Sequence, residues 1–138
     1  MAAYLADKSA LTRRTTRPEV RSVIEPLLLA GRIATCGVID LELLYSAPSK
    51  KLYRQLADAL EGMPRVPVND DVFDRALVVQ SLLAEKSQHR AVPLPYLLVA
   101  ACAEIHGLIV LHYDADYDRI ATITAQPTQW VVPRGSVS

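Results

Sequence analysis

Apolar segments of strand length alternate with segments of helical period along these 138 residues, and that alternation implies an α/β domain. Two further features sharpen the expectation. Leu108-Ile109-Val110-Leu111-His112 is a continuous apolar run, the kind buried on both faces of a parallel sheet. Proline or glycine punctuates the helical stretches at Pro18, Gly31, Pro48, Gly62, Pro93 and Gly107. The expected architecture is a doubly wound, three-layer α/β/α domain: a short, mainly parallel sheet flanked by helices, occupying 1–138 with a polar tail from about 133.

Taken in order, Ala2 to Ala6 reads as a first strand. Pro18 opens a helix with Glu19 in its first turn, then Val20, Val23, Ile24, Leu27 and Leu28 at helical spacing, closing at Gly31. Pro26 inside it should kink or break it. Ile33 to Cys36 is a second strand, Val38 to Ala47 a buried helix ended by Pro48, and Lys50 to Leu60 a helix with Leu52, Leu56, Ala59 and Leu60 on one face. Val66-Pro67-Val68 suits a short edge strand, because proline cannot donate to a central ladder. Asn69 or Asp70 can cap a helix through Lys86, burying Val72, Ala76, Val79 and Leu83. After a loop from Ser87 to Val92, Pro93 and Pro95 open an apolar helix to about Ile105. Leu108 to His112 is the central strand, Asp114 to Ile120 a short helix, and Gln129 to Val132 the last strand.

Composition removes several classes of function. Apolar residues make up 51% and charged residues 22%, an ordinary globular balance. Formal net charge is zero, which argues against coating nucleic acid by charge alone and leaves room for a local grip on a few phosphates. The start carries neither the basic region nor the long apolar region of a signal peptide, and no apolar run reaches membrane-span length. Cys36 and Cys102 each sit in apolar runs and read as buried free thiols. A soluble, cytoplasmic protein is expected.

Functional groups in open α/β sheets collect beyond the carboxyl ends of the strands. Asp7 follows the first strand, and Asp114 and Asp116 follow the strand ending at His112. If those strands are neighbours, the three carboxylates converge on one sheet edge. Glu42 sits in Val38-Ile39-Asp40-Leu41-Glu42-Leu43-Leu44, close to the apolar side of its helix, where a charge costs several kcal/mol unless paired or bound to a cation. Each acid alone has a plainer explanation. Asp7 would cap a turn or helix, Asp114 or Asp116 would cap the next one, and Glu42 would face solvent, paired with Lys50 or Lys51. Together, four acids from distant parts of the sequence with no lysine among them form the oxygen-rich donor set that Mg²⁺ or Mn²⁺ requires.

The segments Tyr4-Leu5-Ala6-Asp7-Lys8-Ser9-Ala10, Cys36-Gly37-Val38-Ile39-Asp40-Leu41-Glu42, Pro95-Tyr96-Leu97-Leu98-Val99-Ala100-Ala101-Cys102-Ala103-Glu104 and Leu111-His112-Tyr113-Asp114-Ala115-Asp116-Tyr117-Asp118 resemble, in order and spacing, the successive signatures of PIN-domain VapC toxins, most of all the mycobacterial ones. The resemblance covers nearly the whole chain. It implies an endoribonuclease cleaving RNA of the tRNA or rRNA class, dependent on Mg²⁺ or Mn²⁺, held inactive by a VapB-type antitoxin, and homodimeric. By position it implies Asp7, Glu42, Asp114 and Asp116 as catalytic and metal-holding acids, with Ser9 in support.

Tyr96 departs from the pattern, standing where the family normally has aspartate in a Pro-Asp-Leu motif. An aspartate in a first helical turn is favoured by the helix dipole and binds hard cations. A neutral phenol, with pKa near ~10, is a poor substitute, and its ring fills space that an ion or phosphate would use. The expectation is therefore an impaired enzyme, with a catalytically silent module that binds only a VapB antitoxin and itself as the alternative. Two other small α/β folds with acid clusters fail on their own requirements. Phosphoacceptor receivers need a lysine after a late strand, and none follows Lys86; haloacid-dehalogenase-like phosphatases need Asp-x-Asp where Asp7-Lys8-Ser9 stands. Arg13, Arg14 and Arg17 form a basic stretch open to RNA, antitoxin or solvent, and His89-Arg90 lies in the loop before the proline-rich helix start, where it would meet a phosphate or, by default, solvent. His112 reads as a strand-end residue without catalytic duty, His106 as a helix end and Trp130 as core.

Overall fold

A computed structural model describes every residue from Met1 to Ser138. The elements run β1 (Tyr4–Ala6), α1 (Lys8–Leu11) continued by a 3-10 turn (Thr12–Arg14), α2 (Pro18–Leu29), β2 (Ile33–Ala34), α3 (Gly37–Tyr45), α4 (Lys50–Glu61), α5 (Asp70–Glu85), α6 (Leu94–Ile105), β3 (Ile109–His112), α7 (Asp116–Thr124) and β4 (Thr128–Trp130). The four strands form one sheet in the order β2-β1-β3-β4, and every pairing is parallel. β1 and β3 are therefore adjacent, with Tyr4 opposite Ile109 and Ala6 opposite Leu111.

Strand side chains alternate between two faces, and the core divides accordingly. Leu5, Ala34 and Val110 point into a cluster of 21 buried residues supplied mainly by α3, α5, α6 and α7. Tyr4, Ala6, Ile33 and Leu111 face the opposite way, packing with Val20 and Ile24 of α2 and with Val131 and Val132. Three layers result from this two-sided burial. Both thiols are fully buried and unbridged. No helix is long and apolar enough to cross a membrane.

Several local expectations need correction. Pro26 does not break α2: its backbone bond is missing, and the helix runs on to Leu29. Val66 to Val68 is not a strand, since Pro67 limits pairing with the segment after β2 to a single bridge between Thr35 and Arg65. Lys50 to Leu60 is helical, yet of its supposed inner face only Leu60 is buried, and Leu52 is 46% exposed. Helix α1 and its 3-10 extension were not expected; they are held by local bonds, including those from Ala10 and Leu11 N–H to the Asp7 carbonyl at 3.1 Å. Trp130 is only half-buried, against the rings of His112 and Tyr113, with its Nε1–H directed at the Asp118 carboxylate. Residues 133–138 fold back rather than trail: the Tyr113 hydroxyl donates to the Val137 carbonyl at 2.7 Å and accepts from Gly135 N–H at 2.9 Å.

Candidate active site

Because the strands are parallel, their carboxyl ends lie along one edge. Asp7 leaves β1 there, its N–H donating to the Leu111 carbonyl at 2.9 Å. Its side chain is completely buried. One carboxylate oxygen accepts from Ser9 N–H at 3.0 Å, the N-cap bond of α1. The other accepts from the Tyr117 hydroxyl at 2.7 Å. Asp7 thus does the work of a cap and still faces the site.

Ser9 joins two chain segments. Its Oγ accepts from Tyr113 N–H at 2.9 Å, and its carbonyl accepts from Arg13 Nη1 at 2.7 Å. The loop after β1 is thereby tied to the loop after β3. Beyond β3, Asp114 turns back on itself: Oδ1 accepts from Asp116 N–H at 2.9 Å, opening α7. Its own N–H donates to His112 Nδ1 at 3.1 Å. That bond leaves the imidazole proton on Nε2, and burial holds His112 below its ordinary pKa, so the ring is neutral.

Two phenols occupy the middle of the acids. Tyr96, in the first turn of α6, donates its hydroxyl to Asp114 Oδ2 at 2.6 Å and meets the Tyr117 ring edge to face, 5.2 Å between centroids. Burial, then the hydrogen bond and charge of Asp114, then Asp7 and Asp116, push the Tyr96 phenol well above its usual value. Tyr117, fully buried, is pushed up by burial first, then by the Asp7 charge and hydrogen bond, with Tyr96 and Glu42 adding to it. Both rings are therefore neutral donors at physiological pH. Asp116 is held above its usual value by burial and by the neighbouring Asp114 charge. Tyr96 bonds Asp114, Tyr117 bonds Asp7 and the two rings touch, so the phenol pair joins these two acids.

Glu42 enters from α3. Its Oε2 pairs with the Lys8 ammonium at 3.3 Å, while Oε1 is buried and has no partner. A lysine-free cluster was expected, and Lys8 corrects that; Lys50 and Lys51 are not its partners. The sequence reading also passed over Tyr117 and Asp40. Tyr117 carries no pattern of its own beyond following Asp114 by three residues. Asp40 is buried, accepting from Thr35 Oγ1 at 2.5 Å with Arg65 Nη2 2.6 Å from its second oxygen, off the hydrogen-bond direction. It anchors the start of α3 rather than joining the cluster.

As these side chains stand, they do not make a metal site. No three His, Cys, Asp or Glu residues are disposed to hold one ion. The bonds explain why: Tyr96 takes one Asp114 oxygen, Tyr117 takes one Asp7 oxygen, and Lys8 takes one from Glu42. The orphaned Glu42 Oε1 is a vacant buried acceptor of the kind a cation would satisfy.

Comparison with known proteins agrees with this architecture. The PIN domain family model matches residues 4–123. Ribonuclease VapC51 of Mycobacterium tuberculosis is 46% identical over 134 residues, 97% of this chain and 96% of its own. Ribonuclease VapC18 of the same organism is 46% identical over 136 residues, covering 97% of this chain and 98% of its own. Among solved structures, the DNA-bound VapBC complex from Salmonella typhimurium superposes with a TM-score of 0.75 at 17% identity, over 96% of this chain and 100% of that one, which establishes a shared fold. A parallel-sheet PIN domain with acids along its carboxyl edge is thus the class. Within that class the chain belongs to the VapC family.

Proposed function

We infer that this chain is the ribonuclease subunit of a VapBC-type toxin–antitoxin pair, working in the cytoplasm on RNA of the tRNA or rRNA class, with its chemistry restrained by Tyr96. The observation that carries the reading is the 2.6 Å bond from the Tyr96 hydroxyl to Asp114. It places a neutral donor among acids that the family resemblance assigns to an Mg²⁺ or Mn²⁺ centre. In this proposal Asp7, Glu42, Asp114 and Asp116 are the catalytic and ion-holding acids, and Ser9 supports them by bracing the two loops. Divalent-ion binding requires Tyr96 to withdraw from Asp114 and Lys8 to release Glu42. A carboxylate at position 96 would do the first and add an oxygen ligand.

Support comes from relatives named as ribonucleases at 46% identity and from structural neighbours that are toxin–antitoxin complexes. A VapB-type antitoxin as partner and a homodimer as the working form belong to the same proposal. The second reading, a silent module that binds antitoxin and its own copy without cutting RNA, is favoured by the same Tyr96 bond.

Purified protein and Tyr96→Asp, incubated with tRNA and rRNA in Mg²⁺ or Mn²⁺ beside an EDTA control, separate the two. Cleavage that is at least tenfold faster in Tyr96→Asp and abolished by EDTA is the expected result. Silence in both proteins would replace the restrained enzyme with the binding module.

A further inference from the structure

Beside the acid cluster, Lys8, Leu41, Glu42 and Tyr45 line an open hollow of about 430 Å³. Leu41 is 72% exposed and Tyr45 is 92% exposed. Positions 41, 42 and 45 stack on one side of α3, because residues three and four apart share a helix face. Glu42 links the two regions: it pairs with Lys8, which directly follows Asp7 in the chain, and both line the hollow. The hollow therefore adjoins the segment that carries Asp7.

We propose that this hollow is a nucleotide subsite, holding one unpaired ribonucleotide next to the scissile phosphate, its base stacked on Tyr45 and Leu41 and its phosphate on Lys8. The proposal rests on the ribonuclease reading and extends it to single-stranded RNA as the substrate form. Three observations favour a nucleotide. An exposed aromatic ring at the rim is the element that single-stranded RNA uses for sequence-tolerant stacking. Lys8 spends one ammonium donor on Glu42 and, being partly exposed, keeps others for a phosphate oxygen. The hollow is also lined by an ion pair, which a flat protein interface would have to strip of water at a cost and an RNA strand would leave wet. The groove between α5 and α6 is the contrast: Phe73, Ala76, Leu77, Leu94, Leu97 and Leu98 line it with Gln80 as its sole polar residue.

The test is fluorescence anisotropy with a labelled single-stranded oligoribonucleotide in Mg²⁺, its integrity followed on a gel, using wild type, Tyr45→Ala, Tyr45→Phe and Lys8→Gln. Light scattering gives the mass of each protein. Tyr45→Ala should weaken binding about tenfold, and Tyr45→Phe should stay within about twofold, because the ring and not the hydroxyl carries the contact. Lys8→Gln should weaken binding and reduce the salt slope by about 0.7. A duplex of equal length should bind no tighter to wild type than to Tyr45→Ala. Wild-type affinity in Tyr45→Ala would overturn the proposal, as would wild type failing to bind the oligonucleotide. A drop in mass with RNA binding unchanged would overturn it too, assigning this face to a protein contact. Tyr45-dependent binding with no cleavage, even in the Tyr96→Asp background, would leave the subsite standing and remove only the nuclease reading.

Discussion

Tyr117 and Tyr96 both donate to an acid, but their settings differ. Tyr117 is fully buried and is the sole side chain hydrogen-bonding Asp7 Oδ1, whereas Tyr96 is half-buried and Asp114 lies nearer solvent. Tyr117→Phe leaves a buried carboxylate oxygen without its donor and should cost about 2 kcal/mol. Tyr96→Phe should cost less than about 1 kcal/mol, since water can take over the bond. Urea unfolding of both variants measures the pair, and equal costs would mean that Asp7 finds another donor. His112 gives a pH signature. The folded protein holds this imidazole below its ordinary 6.5 by burial, so the unfolded chain binds a proton that the native state resists. Stability conferred by the neutral ring is therefore complete above about pH 6.5 and is lost as pH falls below it. Thermal midpoints of wild type should drop more between pH 7.5 and 5.5 than those of His112→Asn; parallel curves would contradict the assignment. None of this was legible beforehand, because Tyr117 takes its role from Asp7, 110 residues away, and His112 takes its own from tertiary burial.

Helices and strands were easier to anticipate than side-chain partners. Periodicity located α2, α5 and α6 within a residue or two: α5 and α6 have long buried stripes, α2 buries Val20 and Ile24 with Val23, Leu27 and Leu28 partly covered, and each has a proline or asparagine at its start. Short elements escaped for a physical reason. Helix α1 buries only Ser9 and Ala10, too few positions to leave a period. The segment Val66 to Val68 had strand-forming residues but its position beside Thr35 was decided by tertiary contact, not propensity. Packing between α3 and α6 yields a chemical prediction. Cys36 at the head of α3 and Cys102 within α6 are fully buried, and the neighbouring Cys36 sulfur together with burial holds the Cys102 thiol up. Neither should be alkylated by iodoacetamide in the native protein within hours, while both react at once in urea. Fast native labelling at either thiol would show that α3 and α6 separate far more readily than their packing implies.

Across the full chain, the convergence of acids at one sheet edge was readable because parallel strands have a fixed polarity, and Asp7 and Asp114 each follow one. What the acids actually bond to was not readable. Lys8 next to Asp7 gave no hint that it would reach across to α3, and the Tyr96 bond depends on where α6 lands against the loop after β3. The same strand order governs when the site can exist. β1 lies between β2 and β3, and the phenol that satisfies Asp7 is 110 residues downstream. A fragment ending before residue 108 lacks the central neighbour of β1 and should show no cooperative thermal transition by circular dichroism. A sharp transition in that fragment would mean that the N-terminal part folds alone. For a chain emerging from the ribosome, the consequence is timing: the first acid is made among the earliest residues and waits, unmatched, until Tyr117 has been synthesised. A site built on this order is assembled only after most of the chain has been made.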